Sequence, residues 1–105
     1  MSRKVRLTQE AKTNITAISG YIADESPQNA QQWRARIRER FRSLGELSAL
    51  HEIAYPATLV GFEVRRTYFG VYSILYTIAF NETVVLTIRH GARRPLTRDE
   101  IRRLK

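Results

Sequence analysis

No cysteine occurs in these 105 residues. That excludes a disulfide framework, a thiolate nucleophile and any cysteine-ligated metal site, and it agrees with a reducing compartment. Apolar runs are short, and none approaches the ~20 residues that a membrane-spanning helix needs. The opening MSRKVRLTQEAK carries charge with no apolar stretch behind it, so it does not read as a secretory signal. A cytoplasmic chain with no membrane partner is the expectation. Histidine is limited to His51 and His90. Neither has carboxylates at ligand spacing, and a metal site needs three or four ligands, so neither a metal nor another cofactor is expected.

Lysine is scarce too, and here the scarcity is informative. Of 18 basic residues 15 are arginine, set against 10 acids for a net charge of +8. Arginine offers a rigid fork that pairs bidentately with carboxylate or phosphate, which lysine does less well. The excess therefore points to an anionic partner, an acidic protein segment or a nucleic acid. A hydrophobic content of 43% argues against disorder. The length predicts one small domain spanning 1–105, with little core to spare.

Residues 4–8, KVRLT, alternate around Val5 and Leu7 and predict a short first strand. Thr8 is placed to cap a helix running to about residue 24, whose stripe is Ala11, Ile15, Ile18 and Ile22. Ser26-Pro27 restarts the chain as N-cap and first helical residue. The second helix is expected from 27 to 44 or a little beyond, with Ala30, Trp33, Ile37, Phe41 and Leu44 inward and Gly45 at or near its end. Residues 46–60 show no clean period, contain Pro56 and read as a connecting loop. Three strands follow within GFEVRRTYF, GVYSILYTIAF and TVVLTIRHG, with Asn81-Glu82 as the last turn. The middle one is apolar on both sides, as a central strand covered on both faces would be. The final LTRDEIRRLK holds a capping-box pattern, Thr97 and Glu100, ahead of Ile101 and Leu104. The predicted class is α+β, in the order β-α-α-β-β-β: an N-terminal strand, a helical hairpin, a three-stranded antiparallel sheet and a short basic helix or tail.

Two registers are open for the last hairpin. A two-residue turn at Asn81-Glu82 sets Ser73 opposite His90, whereas a three-residue loop sets Ile74 there. A one-residue slip moves every side chain to the other face.

The candidate functional residues are basic. Arg34 and Arg38 repeat at helical spacing within RARIRERFR, either as a solvated face or as the edge of a groove for an acidic partner. Arg65 and Arg66 are adjacent on a strand and must point to opposite faces. Arg89, His90, Arg93 and Arg94 close the last strand, and Arg98 and Arg102 continue into the tail, where Arg103 and Lys105 add to the charge. RNA cleavage needs a base, cations on the scissile phosphate and an acid. Arg66, Arg89 and Arg93 would supply the cations and His90 one titrating group, but no convincing second such group is evident. The alternatives are a docking patch for an acidic partner and a solvated strand end with no role. A plain nucleic-acid-binding module ranks last, for want of a recognisable array of stacking aromatics. The tail reads as a docking element, so a chain ending at Pro95 is expected to fold but to lose function.

The element order, with Arg66 followed by Tyr72, Ile74, Leu75 and Tyr76 and then the strand end His90, Gly91, Arg93, resembles the RelE/ParE toxin superfamily over nearly the whole chain. Those features are most similar to the ParE branch, also labelled plasmid-stabilisation proteins. The resemblance implies a helical hairpin on a twisted, mostly antiparallel sheet, in a bacterial toxin neutralised by an acidic, ParD-like antitoxin. For ParE-like members it implies a non-enzymatic toxin that poisons DNA gyrase. For RelE-like members it implies a ribosome-dependent mRNA endonuclease, for which the catalytic set here would be His90, Arg66, Arg89 and Arg93. The Lys-rich early strands and the C-terminal aromatic of the RelE type are missing. On this reading Arg34, Arg38, Arg65, Arg66, Arg89, His90, Arg93, Arg94, Arg98 and Arg102 contact antitoxin or target.

Overall fold

The computed structural model describes residues 3–104, so Lys105 of the basic tail lies outside the described residues. Strand β1 (Lys4–Leu7) leads into helix α1 (Gln9–Glu25), and helix α2 (Pro27–Leu47) returns alongside it. The caps are those that the residues dictate. The Thr8 hydroxyl accepts the Ala11 N–H at 3.1 Å and donates to the Leu86 carbonyl at 2.8 Å, so one side chain starts α1 and ties it to the sheet. Ser26 closes α1 through its own N–H to the Ile22 carbonyl and opens α2 by accepting the Asn29 N–H, with Pro27 in the first turn.

Gly45 does not end α2, which runs on through Leu47. Its role is close approach. The Arg3 N–H donates to the Gly45 carbonyl at 2.7 Å, and a Cβ on Gly45 would sit 2.5 Å from the Arg3 carbonyl oxygen. Glycine lets the strand and the helix touch backbone to backbone.

The segment 46–60 is not a plain loop. It contains a 3-10 turn (Ser48–Leu50), the edge strand β2 (Ile53–Tyr55) and the one-turn helix α3 (Ala57–Val60), whose end at Gly61 takes a left-handed φ of 89°. The strands β3 (Val64–Phe69), β4 (Tyr72–Ala79) and β5 (Glu82–His90) follow, and α4 (Arg98–Arg102) closes the chain under a complete capping box. The sheet thus has five strands rather than three, in the order β1-β5-β4-β3-β2. β1 runs parallel to β5 and the other pairings are antiparallel. Periodicity marks a strand but does not choose its partner, which is why β1 was legible and its place in the sheet was not.

Neither expected register of the β4–β5 hairpin holds. Ala79 pairs with Glu82, so the tight turn is Phe80-Asn81, with Phe80 at φ 57° and fully exposed. A bulge at Leu86 of β5, opposite Leu75 and Tyr76 of β4, then shifts the ladder by one and brings Tyr72 opposite His90.

β4 sits at the centre and both of its faces are covered, as its composition requires. On one face α1 and α2 pack Ala11, Ile37, Phe41 and Leu44 against Ile74, Tyr76, Val85 and Ile88. On the other, α3, α4 and their flanking chain bring Val60, Ile101, Leu59, Leu96 and Leu104 onto Val64, Leu75, Val84 and Leu86. The tail is therefore part of the core. Ile101 is wholly buried, which corrects the expectation that a chain ending at Pro95 would keep its fold.

Candidate functional site

Alternation along β3 and β5 divides the arginines between the two faces. Arg65 lies on the helix side. Its guanidinium donates to the Ala49 and His51 carbonyls at 3.1 and 2.7 Å and pairs with Glu63. It fastens the 3-10 turn to the sheet and is largely withdrawn from solvent. Arg40 of α2 likewise ties helix to sheet, donating to the Thr67 hydroxyl and the Tyr68 carbonyl of β3. His51, next to these cations, has its pKa lowered, first by burial and then by Arg40 and Arg65. Its ring lies edge-on to Tyr76. The Tyr76 phenol donates to the Ser48 carbonyl, and burial pushes its pKa up to about 12.

The opposite face keeps an open cationic groove beside its apolar core. Tyr68, Ser73 and Arg89 form one row across β3, β4 and β5, and Arg66, Leu75 and Thr87 form the next. Arg66, Tyr68, Ser73, Arg89 and Arg93 line a hollow of about 190 Å³, which shares Arg89, Arg93 and Leu96 with a larger one of about 720 Å³. The larger hollow adds Arg6, Asn14, Thr87 and Arg103. Among the described residues the Arg66 guanidinium meets a carboxylate only at Glu52, in a long contact of 3.5 Å. Arg93 has no carboxylate partner among the described residues. Arg89 is partly desolvated and lies near Arg93 and Arg94, and all three effects lower its pKa.

The tail arginines are engaged differently. Arg94 grips Glu100 through both guanidinium nitrogens at 2.7 and 3.1 Å, which holds the Glu100 carboxyl down at about 2 and raises Arg94. Arg102 pairs with Asp99 and donates to the Leu59 carbonyl at 2.8 Å, linking α4 to α3. Arg98 is exposed at the first turn of α4.

His90 does not join the groove arginines through its ring. The imidazole packs edge-on to Tyr72, on the helix side, with centroids 5.7 Å apart, although the residue as a whole borders the groove. Its Nδ1 accepts the Ala92 N–H at 3.0 Å, so the neutral ring carries its proton on Nε2 and its lone pair is in use. Glu63 is drawn off by Arg65. The groove thus has cations without an evident base. Among the described residues no cluster of three or more His, Cys, Asp or Glu could hold a metal ion, and no helix is long and apolar enough to cross a membrane.

Arg34 and Arg38 stand on a different surface. The Arg34 guanidinium donates to the Ser19 hydroxyl across the hairpin. Both border shallow hollows floored by Val5, Leu7, Ile15, Ile37 and Phe41, which Arg3 and Arg42 also rim. The ten residues singled out from the sequence therefore do not converge on one site. Missing from them were Arg6, Tyr68 and Arg103 on the groove and Arg3 and Arg42 on the apolar rim. Alternation with Val5 and Leu7 does place Arg6 on the face opposite the helices, but only the pairing of β1 with β5 brings it near Arg89.

A family model described as the ParE toxin of the type II toxin-antitoxin system parDE matches residues 5–95. Solved structures that share the fold include chains of two toxin–antitoxin complexes. A chain of the chromosomal ParDE toxin–antitoxin system from P. aeruginosa superposes with a TM-score of 0.69 at 18% identity, over 85% of this chain and 96% of that one. A chain of the toxin–antitoxin complex RelBE2 from Mycobacterium tuberculosis gives 0.57 at 17% identity, over 86% and 99%. No curated protein matches the chain.

Proposed function

Because the chain belongs to the ParE toxin family of type II toxin–antitoxin systems, we propose that it is a non-enzymatic toxin that acts on a protein target, DNA gyrase, and is held inactive by an acidic antitoxin. The observation that carries the non-enzymatic reading is the placement of His90. Its ring rests on Tyr72 and its free lone pair is taken by the Ala92 N–H, while Arg66, Arg89 and Arg93 gather on the other face. General acid–base catalysis contributes about 10²–10⁴-fold and needs a titrating group within hydrogen-bond reach of the proton it moves. On the groove the two carboxylates are engaged, Glu100 by Arg94 and Glu10 by Asn14, and the His90 ring is turned to the other face. The choice of gyrase comes from family resemblance alone, and no residue pattern in this chain reads it out.

An antitoxin seat is supported by the helix side. Val5, Leu7, Ile15 and Phe41 make an apolar floor, and Arg3, Arg34, Arg38 and Arg42 stand around it. An amphipathic acidic segment meets both demands, with apolar residues on the floor and carboxylates on the guanidinium forks.

The second reading, a ribosome-dependent mRNA endonuclease, is favoured by the grouping of Arg66, Arg89 and Arg93, which would hold a scissile phosphate. One experiment separates the two. DNA synthesis, plasmid supercoiling and the integrity of translated mRNA are followed in the first minutes after induction of the toxin in growing cells. Arrested replication with intact message is the expected result. Message cut within codons while replication continues would replace the proposal with the second reading.

A further inference from the structure

The two arginine-rimmed surfaces differ in their floors, and the difference assigns their ligands. The helix-side hollows are floored by aliphatic and aromatic carbons. The groove on the other face is lined mainly by polar groups, with the Ser73, Thr87 and Asn14 side chains among the guanidinium groups of Arg6, Arg66, Arg89, Arg93 and Arg103, and with Leu75, Leu96 and Leu104 as its aliphatic part. Its two carboxylates are both occupied, Glu100 by Arg94 and Glu10 by the Asn14 amide at 2.9 Å. An amphipathic acidic helix would find less apolar floor here than in the helix-side hollows, and more polar groups to leave unpaired. A phosphodiester chain would not.

Tyr68 sharpens the assignment. Its side chain has no hydrogen-bond partner among the described residues and the residue is 53% exposed, on the same face as Arg66 and Arg89. It heads the row Tyr68–Ser73–Arg89, which crosses two strand spacings, about 10 Å. An exposed aromatic face at one end of such a row and paired cations at the other are the two elements of single-strand recognition, a stacked base and a held backbone.

We propose that the groove bounded by Arg66, Tyr68, Arg89 and Arg93 binds single-stranded nucleic acid without cutting it, independently of the protein target. The phosphodiester backbone lies on Arg66, Arg89 and Arg93 and a base stacks on Tyr68. No base-edge readout is evident, so binding is sequence-tolerant.

The test is fluorescence anisotropy of the full-length, antitoxin-free toxin with end-labelled oligothymidylate and oligouridylate, over a range of salt concentrations. The expected result is saturable binding with a log–log salt slope near about −2, from three phosphate contacts at about −0.7 each. Arg66→Gln with Arg93→Gln should make the slope shallower by about 1.4 and weaken binding. Tyr68→Leu should weaken it about tenfold or more with the slope unchanged, and Tyr68→Phe should keep it. Arg34→Gln with Arg38→Gln, on the other surface, should leave it intact. The thymidylate and uridylate arms show whether DNA or RNA is preferred. Equal weakening by the Arg34/Arg38 pair would overturn the proposal in favour of diffuse charge. Displacement by polyglutamate at equal charge would overturn it in favour of an acidic protein. Absence of binding would overturn it outright, and a shortened oligonucleotide would overturn it in favour of a nuclease.

Discussion

His90 and Tyr72 face one another across β5 and β4, with rings almost perpendicular at 5.7 Å, because the bulge at Leu86 shifts the ladder by one residue. Without it the strand end would present a different pair. The contact keeps the histidine on the helix side of the sheet, next to the Trp33–Tyr72 edge contact. His90→Ala should therefore cost about 0.5–1.5 kcal/mol of packing. It should leave growth inhibition within a few-fold of the parent when toxin levels are matched. A drop of about 10²–10⁴-fold would mark general acid–base chemistry instead. Dose–response curves of toxicity against expressed protein decide it.

The Gly45 position is tested by Gly45→Ala. The added methyl meets the Arg3 carbonyl oxygen at 2.5 Å and Val5 at 3.1 Å, and the first of these is backbone. Overpacking of this kind costs about 1–3 kcal/mol, more than the gain of a few tenths to 1 kcal/mol that alanine gives inside an ordinary helix. Denaturant unfolding should show a lower midpoint. A raised midpoint would mean that α2 and β1 are not in backbone contact.

The tail is structural as well as basic. Ile101→Ala should destabilise by about 2–5 kcal/mol, the usual cost of emptying a buried isoleucine site. Arg98→Ala, on the exposed side of the same turn, should change stability by under about 0.5 kcal/mol. Thermal melts of the two variants make the comparison, and equal effects would argue against a docked α4.

Stability against pH should fall at both ends. Tyr76 is held neutral by burial, with its pKa raised to about 12, so the fold favours the protonated phenol. That contribution is complete below the unfolded value of ~10 and is lost as pH rises from there through about 12. His51 is shifted the other way, by burial and by Arg40 and Arg65. Its contribution is complete above the unfolded value of ~6.5 and is lost as pH falls below it. Chemical denaturation across pH should show both limbs. Tyr76→Phe should flatten the alkaline one and His51→Gln the one below neutrality. An unchanged alkaline slope in Tyr76→Phe would place the titration elsewhere.

Local pattern carried much of this fold. The stripes through Ala11–Ile22 and Ala30–Leu44 gave the two helices, Thr8, Ser26 and Pro27 gave their starts, and the two apolar faces of Tyr72–Ala79 gave a central strand. All of these are set within a few residues, by side-chain periodicity and by hydrogen bonds to the nearest free N–H groups. The segment 46–60 reads as a loop because its elements are each three or four residues long, too short for a period, and take their shape from distant partners, Arg65 and Tyr76 for the 3-10 turn and Val64 and Ile101 for the rest.

What the sequence alone determined is the class of the molecule: an arginine-rich α+β domain without thiols, built to meet an anion. Which arginines meet it was decided only by tertiary structure. The pairing of β1 with β5, the bulge at Leu86 and the docking of α4 set Arg66, Arg89 and Arg93 on one face and turned Arg65 and His90 to the other. The reason is physical. Strand side chains alternate with a period of two, so one residue of register, fixed by contacts far apart in the chain, reassigns every functional group to the opposite face.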